Sequence, residues 1–419
     1  MTHEESDRVP VEDIQRQEAS ALSGVRVLDL SRLIAGPYAA QLLGDLGAEV
    51  IKVEKPGSGD DTRASTVQGR GHYDGQAPSP FFESVNRNKR SIAVDLRAAD
   101  GQQLVRDLAA RADVLIENFR AGTLARYGLD EATLRSFNPR LIYCSVTGYG
   151  QSGPKANAPG VDPVFQAQGG LMSAFVGKDG SALSGRLALT VTDLVTGQNA
   201  ASSILAALYE RERSGVGQYI DVALLDSTLA LMSHVAQHFL ITGDAPRGTQ
   251  LLGGDSGFSG IITCADGALM VVAVRQHHFE ALVGALGKPE LALDKRFATR
   301  RDRGRNAATL QPLLDALVVN RQVADVAATL EEKLPVGIVN DIAAAFDDPQ
   351  AVHRGLKVDV GSDDRLAPGV ASPLRLTRTP PAYHRRPPAL GEHSMEILRD
   401  ELRLSAARSA QLVRSGVVA

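Results

Sequence analysis

The chain has 419 residues, enough for two domains and too many for one simple core. At 43% hydrophobic and 22% charged it reads as a globular protein, and 45 basic against 49 acidic residues leave a net charge of -4, which argues against a nucleic-acid partner. Cys144 and Cys264 stand far apart with neither metal nor disulfide spacing, which suits a reducing cytoplasm, and no apolar run reaches the roughly 18 residues of a membrane span, so no membrane partner is expected.

Residues 1–23 read as a flexible N-terminal extension. Glu4, Glu5, Asp7, Glu12, Asp13 and Glu18 lie in it without any apolar stretch, so it is not a signal peptide. Val25–Leu30 (VRVLDL) has strand character. Ser31–Pro37 is a turn, Tyr38–Leu46 a helix that Gly47 closes, and Glu49–Glu54 (EVIKVE) a second strand. Such a βαβ unit predicts a parallel sheet. Glu54 stands where the ribose-binding acid of a dinucleotide fold would stand. The turn before the helix, however, holds one glycine, Gly36, where a phosphate fingerprint needs three, so NAD and FAD are not expected.

Lys55–Pro80 is a polar loop containing GSGDDTR. Asn86–Leu96 brings Arg87, Lys89 and Arg90 ahead of a strand, either a solvated face or a set of phosphate contacts. Ala99–Ala112 is an amphipathic helix, Asp113–Phe119 a strand, Thr123–Tyr127 and Glu131–Phe137 helical, and Leu141–Val146 a strand. The alternation is that of a doubly wound, Rossmann-like α/β domain. Thr147–Asp162 is a Gly- and Pro-rich loop leading to a helix at Pro163–Met172, and Asp162 reads first as that helix's cap. Ala174–Arg186 is a glycine-bearing excursion.

Leu187–Thr192 reads as the end of a strand or a buried lead-in, and Thr196–Leu208 as a helix with Ala200, Ile204, Ala207 and Leu208 on one face. Asp193 sits at the join. Gly215–Leu225 is a turn and strand, and Asp226–Leu240 a helix. Gly243–Gly260 is a glycine-rich loop, Ile261–Val274 a hairpin, and helices follow near His277–Leu286, Thr309–Val319 and Gln322–Leu334. Leu356–Val360 and Leu374–Leu376 are strand-like. A proline-rich arm, Pro380–Pro388, precedes a helix from Ser394.

The histidines are scattered and no convergent ligand spacing is present, so no metal is expected. A G-x-S-x-G nucleophile elbow is absent. Asp193 remains, and its commonest role would be to cap the helix that follows. A cap and a nucleophile do not exclude one another. The helix N-terminus favours an ionised carboxylate, and an oriented carboxylate attacks activated carbonyls.

Several motifs occur in a fixed order: LDLSRLIAGPYAAQLLGDLGAEVIKVEKPGSGDDTR, NRNKRSIAVDL, ADVLIENFRAGTLARYGL, SVTGYGQSGP, TDLVTGQNAASSILAALYERERSGVGQYIDVALLDS and LGEH. Together they resemble the class III CoA-transferases, the CaiB/BaiF family of formyl-CoA transferase and carnitine CoA-transferase, from about Gly24 to the C-terminal helix. The resemblance implies an acyl-CoA:carboxylate CoA-transferase with Asp193 as nucleophile, working through an aspartyl anhydride and an aspartyl-CoA thioester. No permanent cofactor is implied; coenzyme A and acyl-CoA are substrates, and a small carboxylic acid is the partner. It places Arg32, Leu33, Ala35, Lys55, Arg97, Asn118, Phe119 and Arg126 along coenzyme A, and it promotes the basic residues to phosphate contacts. Asp162 lies near the site, and Gly253 and Gly254 lie in a mobile glycine loop.

The resemblance further implies residues 24–228 as the first part of a large CoA-binding domain, 229–255 as linker and glycine loop, 256–334 as a small α+β domain, and 335–419 as a return to the large domain. The large domain's open sheet would then be built from both chain ends, in an interlocked, cytoplasmic homodimer. The family's α-methylacyl-CoA racemases carry His-Asp where this chain has Val161–Asp162, and valine has no proton to transfer, which counts against the racemase alternative. A non-catalytic CoA-binding subunit is the other alternative, against which Asp193 speaks.

Overall fold

Strands buried on both faces need near-continuous apolar runs, and this chain supplies them in its first half. The computed structural model describes residues 20–67, 77, 79–175, 186–245, 257–361 and 366–419. Most of the N-terminal extension, Gly253 and Gly254, and parts of the loops at 55–80 and 174–186 lie outside the described residues.

The chain divides into two units. The first gathers the described chain up to Phe165, Leu189–Thr228 and Lys357–Ala419. It runs β1 (Arg26–Asp29), α1 (Ala35–Asp45), β2 (Glu49–Glu54), α2 (Pro80–Glu83), β3 (Lys89–Ala93), α3 (Ala99–Ala109), β4 (Val114–Glu117), α4 (Glu131–Phe137), β5 (Ile142–Thr147), α5 (Asp162–Gln168), α6 (Val191–Ser214) and β6 (Tyr219–Ala223), followed by α7 (Leu224–Leu231). The strands form one six-stranded parallel sheet in the order β3-β2-β1-β4-β5-β6. That is the doubly wound order, with its reversal between β1 and β4.

Alternate residues feed two cores, one on each face. Val27, Val114, Ile116 and Ile142 pack with Ala39 and Leu43 of α1 and with Ala200 and Ile204 of α6. Leu28, Leu115 and Tyr143 pack on the other face with Leu104 and Leu108 of α3 and with Leu398 and Leu412 from the C-terminal segment. The sheet is thus not built from both chain ends: all six strands lie between Arg26 and Ala223. The returning segment covers one face and adds an isolated antiparallel bridge, Val94 to Val418. Its regular strand pair is β10 (Lys357–Val360) with β11 (Ala367–Val370), a separate antiparallel ladder, and Leu374–Leu376 is not a strand.

The second unit gathers Gln166–Ala188 and Leu229–Leu356. It contains α8 (Ser233–Thr242) and an antiparallel sheet of β7 (Phe258–Thr263), β8 (Ala268–Ala273) and β9 (Val336–Ile338). Helices α9 (Gln276–Ala285), α10 (Arg300–Arg305), α11 (Ala307–Val318) and α12 (Val323–Leu330) follow the β7–β8 hairpin, and α13 (Ile342–Asp347) and α14 (Pro349–His353) follow β9. Phe258, Leu269, Val271, Phe279, Leu314, Val326 and Leu330 form its core. The helix expected at Asp226–Leu240 is two helices, interrupted at Met232.

Candidate active site

In an open parallel sheet the loops leaving neighbouring strands diverge where the strand order reverses, and a crevice opens at the carboxyl ends. Here that crevice lies between the loops after β1 and β4. Asn118 ties them together: its Oδ1 accepts the Arg32 N–H at 2.9 Å and its Nδ2 donates to the Arg32 carbonyl at 2.6 Å. The Arg32 guanidinium lies 5.4 Å from the Phe119 ring centre and 3.2 Å from Asp61. Leu33 adopts φ +65°, a left-handed backbone that costs a non-glycine residue on the order of 1 kcal/mol, and it is exposed. Its N–H donates to Asp60 Oδ1 at 3.2 Å.

The strained turn is held from beneath by buried charge. Lys52 Nζ donates to the Ser31 carbonyl at 2.8 Å and lies 3.0 Å from Asp60 Oδ2. Lys89 Nζ donates to Asp29 Oδ2 at 2.8 Å, to the Pro37 carbonyl at 2.9 Å and to Asn86 Oδ1 at 2.9 Å. Asp29, Lys52 and Lys89 are each fully buried, so every charge there needs an opposite charge and hydrogen bonds to persist. Burial works against the Asp29 carboxylate, but Lys89 and Lys52 hold it below its ordinary range. The network fixes both ends of the Ser31–Pro37 turn to the sheet.

A cavity of about 240 Å³ opens beside this turn. Arg32, Lys55, Arg97, Phe119 and Tyr127 line it, with Leu30, Val53 and Leu96 as apolar wall. Arg97 is held by Asp95 through bonds of 2.9 and 2.8 Å. Lysine and arginine at the rim with an aromatic ring and aliphatic wall suit an elongated ligand that is polyanionic at one end. Glu54 is spent internally: Arg63 binds it at 2.8 and 2.7 Å and Ser91 at 2.7 Å, so it is not a free ribose acceptor. The basic run at 87–90 is also spent, which corrects its reading as phosphate contacts. Arg87 pairs with Asp45 at 2.6 Å, Lys89 belongs to the buried network, and Arg90 pairs with Glu396 at 3.0 Å and Glu401 at 2.6 Å.

The capping role expected of Asp193 falls instead to Asp162. The helix begins at Val191, and Leu187–Thr192 supplies no strand. Instead the Leu187 N–H and carbonyl are both taken by the Gln166 side chain, at 3.0 and 3.2 Å. Asp193 is the third residue of α6, not its cap. The cap comes from another helix: Asp162 Oδ2 accepts the Thr192 N–H at 2.7 Å, the Thr192 hydroxyl at 2.6 Å and the Asp193 N–H at 3.1 Å. The orphan amides of a 24-residue helix are thereby satisfied by a buried anion. Asp193 accepts no hydrogen bond from any described residue. Burial, and then the Asp162 carboxylate beside it, push Asp193 up to about 7. The helix N-terminus therefore does not keep it strongly ionised, contrary to the expectation from its position.

Two glycine contacts set this corner. A Cβ on Gly197, one turn beyond Asp193, would lie 2.6 Å from the Ala35 carbonyl and 3.0 Å from the Tyr38 ring, so only glycine lets α6 touch the start of α1. Gly148 and Gly160 clasp Phe165 of α5, since a Cβ at either would meet its ring at 2.6 or 2.3 Å.

Of the sequence-expected residues, Arg32, Lys55, Arg97 and Phe119 line the cavity and Asn118 ties its loops. Ala35 is buried at the start of α1, where its carbonyl meets Gly197, and it does not line the cavity. Arg126 is exposed on the Leu124–Tyr127 turn and does not line the cavity, whereas its neighbour Tyr127 does. Asp162 and Asp193 stand together at the start of α6. Sequence reasoning missed Lys52 and Asp29, whose signal was a charge inside an apolar strand, and it read Lys89, their buried partner, as a surface cation. It also missed Glu117, which accepts the Phe119 N–H at 2.8 Å and the Ser145 hydroxyl, and which burial pushes up to about 7. Among the described residues no group of His, Cys, Asp or Glu could hold a metal ion, and no helix is long and apolar enough to cross a membrane.

Comparison with known proteins points to one family. The model of CoA-transferase family III matches residues 22–394. The chain is 40% identical over 382 residues to the succinate–glutarate CoA-transferase of Agrobacterium fabrum, covering 90% of this chain and 95% of that one. It is 37% identical over 400 residues to the succinyl-CoA:glutarate CoA-transferase of Mus musculus, covering 95% and 90%. A solved CaiB/BaiF family protein from Brucella suis shares 37% identity at a TM-score of 0.83, covering 92% of this chain and all 100% of that chain.

Proposed function

Because the chain belongs to CoA-transferase family III and is an enzyme of the CoA-transferase type, we propose that it passes coenzyme A from succinyl-CoA to a small dicarboxylic acid, with Asp193 as the covalent carrier. The acids named for the two relatives above, succinate and glutarate, are the model for donor and acceptor. One observation carries the catalytic assignment: a half-buried carboxyl at a helix start, free of described hydrogen-bond donors and with its pKa pushed to about 7. A carboxylate of that basicity is ionised in useful amount at neutrality and is a better nucleophile than an ordinary one.

The exchange then balances as follows. An Asp193 oxygen attacks the thioester carbonyl, the C–S bond breaks, and an acyl–aspartyl anhydride and CoA thiolate result. The thiolate attacks the aspartyl carbonyl of that anhydride, and the first acid leaves as its carboxylate. The acceptor carboxylate attacks the aspartyl-CoA thioester and releases the thiolate again. Attack of the thiolate on the acceptor's carbonyl frees Asp193 and completes the new thioester. Asp162 positions Asp193 throughout by holding its N–H, while Arg32, Lys55, Arg97, Asn118 and Phe119 hold coenzyme A. The reading includes a cytoplasmic homodimer. Both cysteines are buried free thiols, and α8 exposes Leu240 at 73% and Ile241 at 74%, apolar surface of the kind a second copy would cover.

Incubation with succinyl-CoA and hydroxylamine is expected to leave a hydroxamate on Asp193, read by peptide mass spectrometry. Asp193→Ala is expected to lose the label and to lower CoA exchange on the order of 10⁴-fold. A label on another residue, or full exchange by Asp193→Ala, would overturn the assignment.

A further inference from the structure

A diacid presents a problem that the reacting carboxylate does not solve. One end exchanges coenzyme A at Asp193, and the other end remains an anion in a corner that already holds Asp162 and Asp193. An unmatched second charge there is repelled, so acceptance of a diacid needs a cation close by. The loop after β5 carries a cation linked to that corner through two ring contacts. Lys155 is exposed, has no carboxylate within ion-pair distance among the described residues, and places its Nζ 5.5 Å from the centre of the Tyr149 ring. The Tyr149 ring packs edge-on against Phe165 at 5.0 Å. Phe165 and Asp162 are three residues apart on α5 and so share one face of that helix. Asp162 in turn holds the Asp193 N–H at 3.1 Å.

Gly148 and Gly160 clasp Phe165, which seats the loop on α5. The lysine stem lies against an aromatic ring, which aims the ammonium without neutralising it. We propose that Lys155, backed by Tyr149, receives the distal carboxylate of the acid and so selects dicarboxylic over monocarboxylic substrates. The proposal rests on the CoA-transfer reading above and adds the residue that sets its acid class. Lys155 touches the non-reacting end and takes no part in bond making.

The test compares glutarate with pentanoate, of equal chain length, as acceptors from succinyl-CoA. In Lys155→Met the preference for glutarate, as a ratio of kcat/KM values, is expected to fall about tenfold, with the loss in the KM for glutarate. Lys155→Arg is expected to keep the preference. Hydroxylamine trapping on Asp193 is run in parallel on all three proteins. Intact trapping with an unchanged preference in Lys155→Met would overturn the role of Lys155 and leave the transferase reading standing. An equal fall in the acceptor kcat/KM for both acids would overturn it too, since a selector of the distal charge does not act on pentanoate in the acceptor half-reaction. Absence of trapping in the unsubstituted protein would overturn the transferase reading, and this proposal with it.

Discussion

At the scale of single residues, the site turns on two carboxylates separated by 31 positions in sequence and one hydrogen bond in space. Asp162 Oδ2 accepts from three donors at the start of α6, and among the described residues none donates to the Asp193 carboxyl beside it. Burial and the Asp162 charge raise Asp193 to about 7, so the acid limb of the exchange rate is expected near neutrality. Asp162→Asn keeps an acceptor oxygen for the helix amides and removes the charge. The raised pKa should then fall, and the acid limb of kcat/KM should move down by about one pH unit. An unmoved limb would show that Asp162 acts through geometry alone. Linkage gives a second expectation. A carboxyl raised above its unfolded value favours the fold while protonated, and that contribution is lost as pH rises through about 7. Asp193→Asn does not ionise, so its melting temperature should exceed that of the unsubstituted protein by a few degrees above pH 7 and match it near pH 4. A constant difference across that range would assign the effect to packing.

Between elements, the decisive contact is α1 against α6. It joins the turn that lines the cavity to the helix that bears Asp193, and Gly197 is what allows it. Alanine in a helix interior is favoured over glycine by about 1 kcal/mol, which would ordinarily stabilise α6. A methyl 2.6 Å from the Ala35 carbonyl outweighs that gain, because overpacking a backbone contact costs about 1–3 kcal/mol. Gly197→Ala is therefore expected to lower both the melting temperature and, by at least about tenfold, kcat/KM, since a displacement of even 1 Å is costly at a reacting centre. Unchanged kinetics would show that the two helices separate without disturbing Asp193.

Across the whole molecule, the βαβ alternation was legible because each strand of the sheet is a short apolar run bounded by turns. The candidate nucleophile was legible only through ordered motifs, since an aspartate near a helix start looks like any cap. Its true cap was not legible: no periodicity links Asp162 to Thr192. The cations misled for a related reason. Lys89 and Arg87 occupy a polar-looking run, yet their partners Asp29 and Asp45 come from elements 60 and 42 positions away. Nor was it legible that the sheet ends at Ala223 and that the chain's return serves as cover.

That cover has a cost in time. Ser394 Oγ receives the Ala93 N–H across 301 positions, and Leu398 and Leu412 close the apolar face over Leu28 and Leu115. At a translation rate of about 5–20 residues per second, the strand is made roughly 15–60 s before its lid. For that interval the nascent protein carries a sheet face that α3 covers only in part. Its biogenesis therefore depends on what shelters that face in the meantime, a demand set by chain order alone.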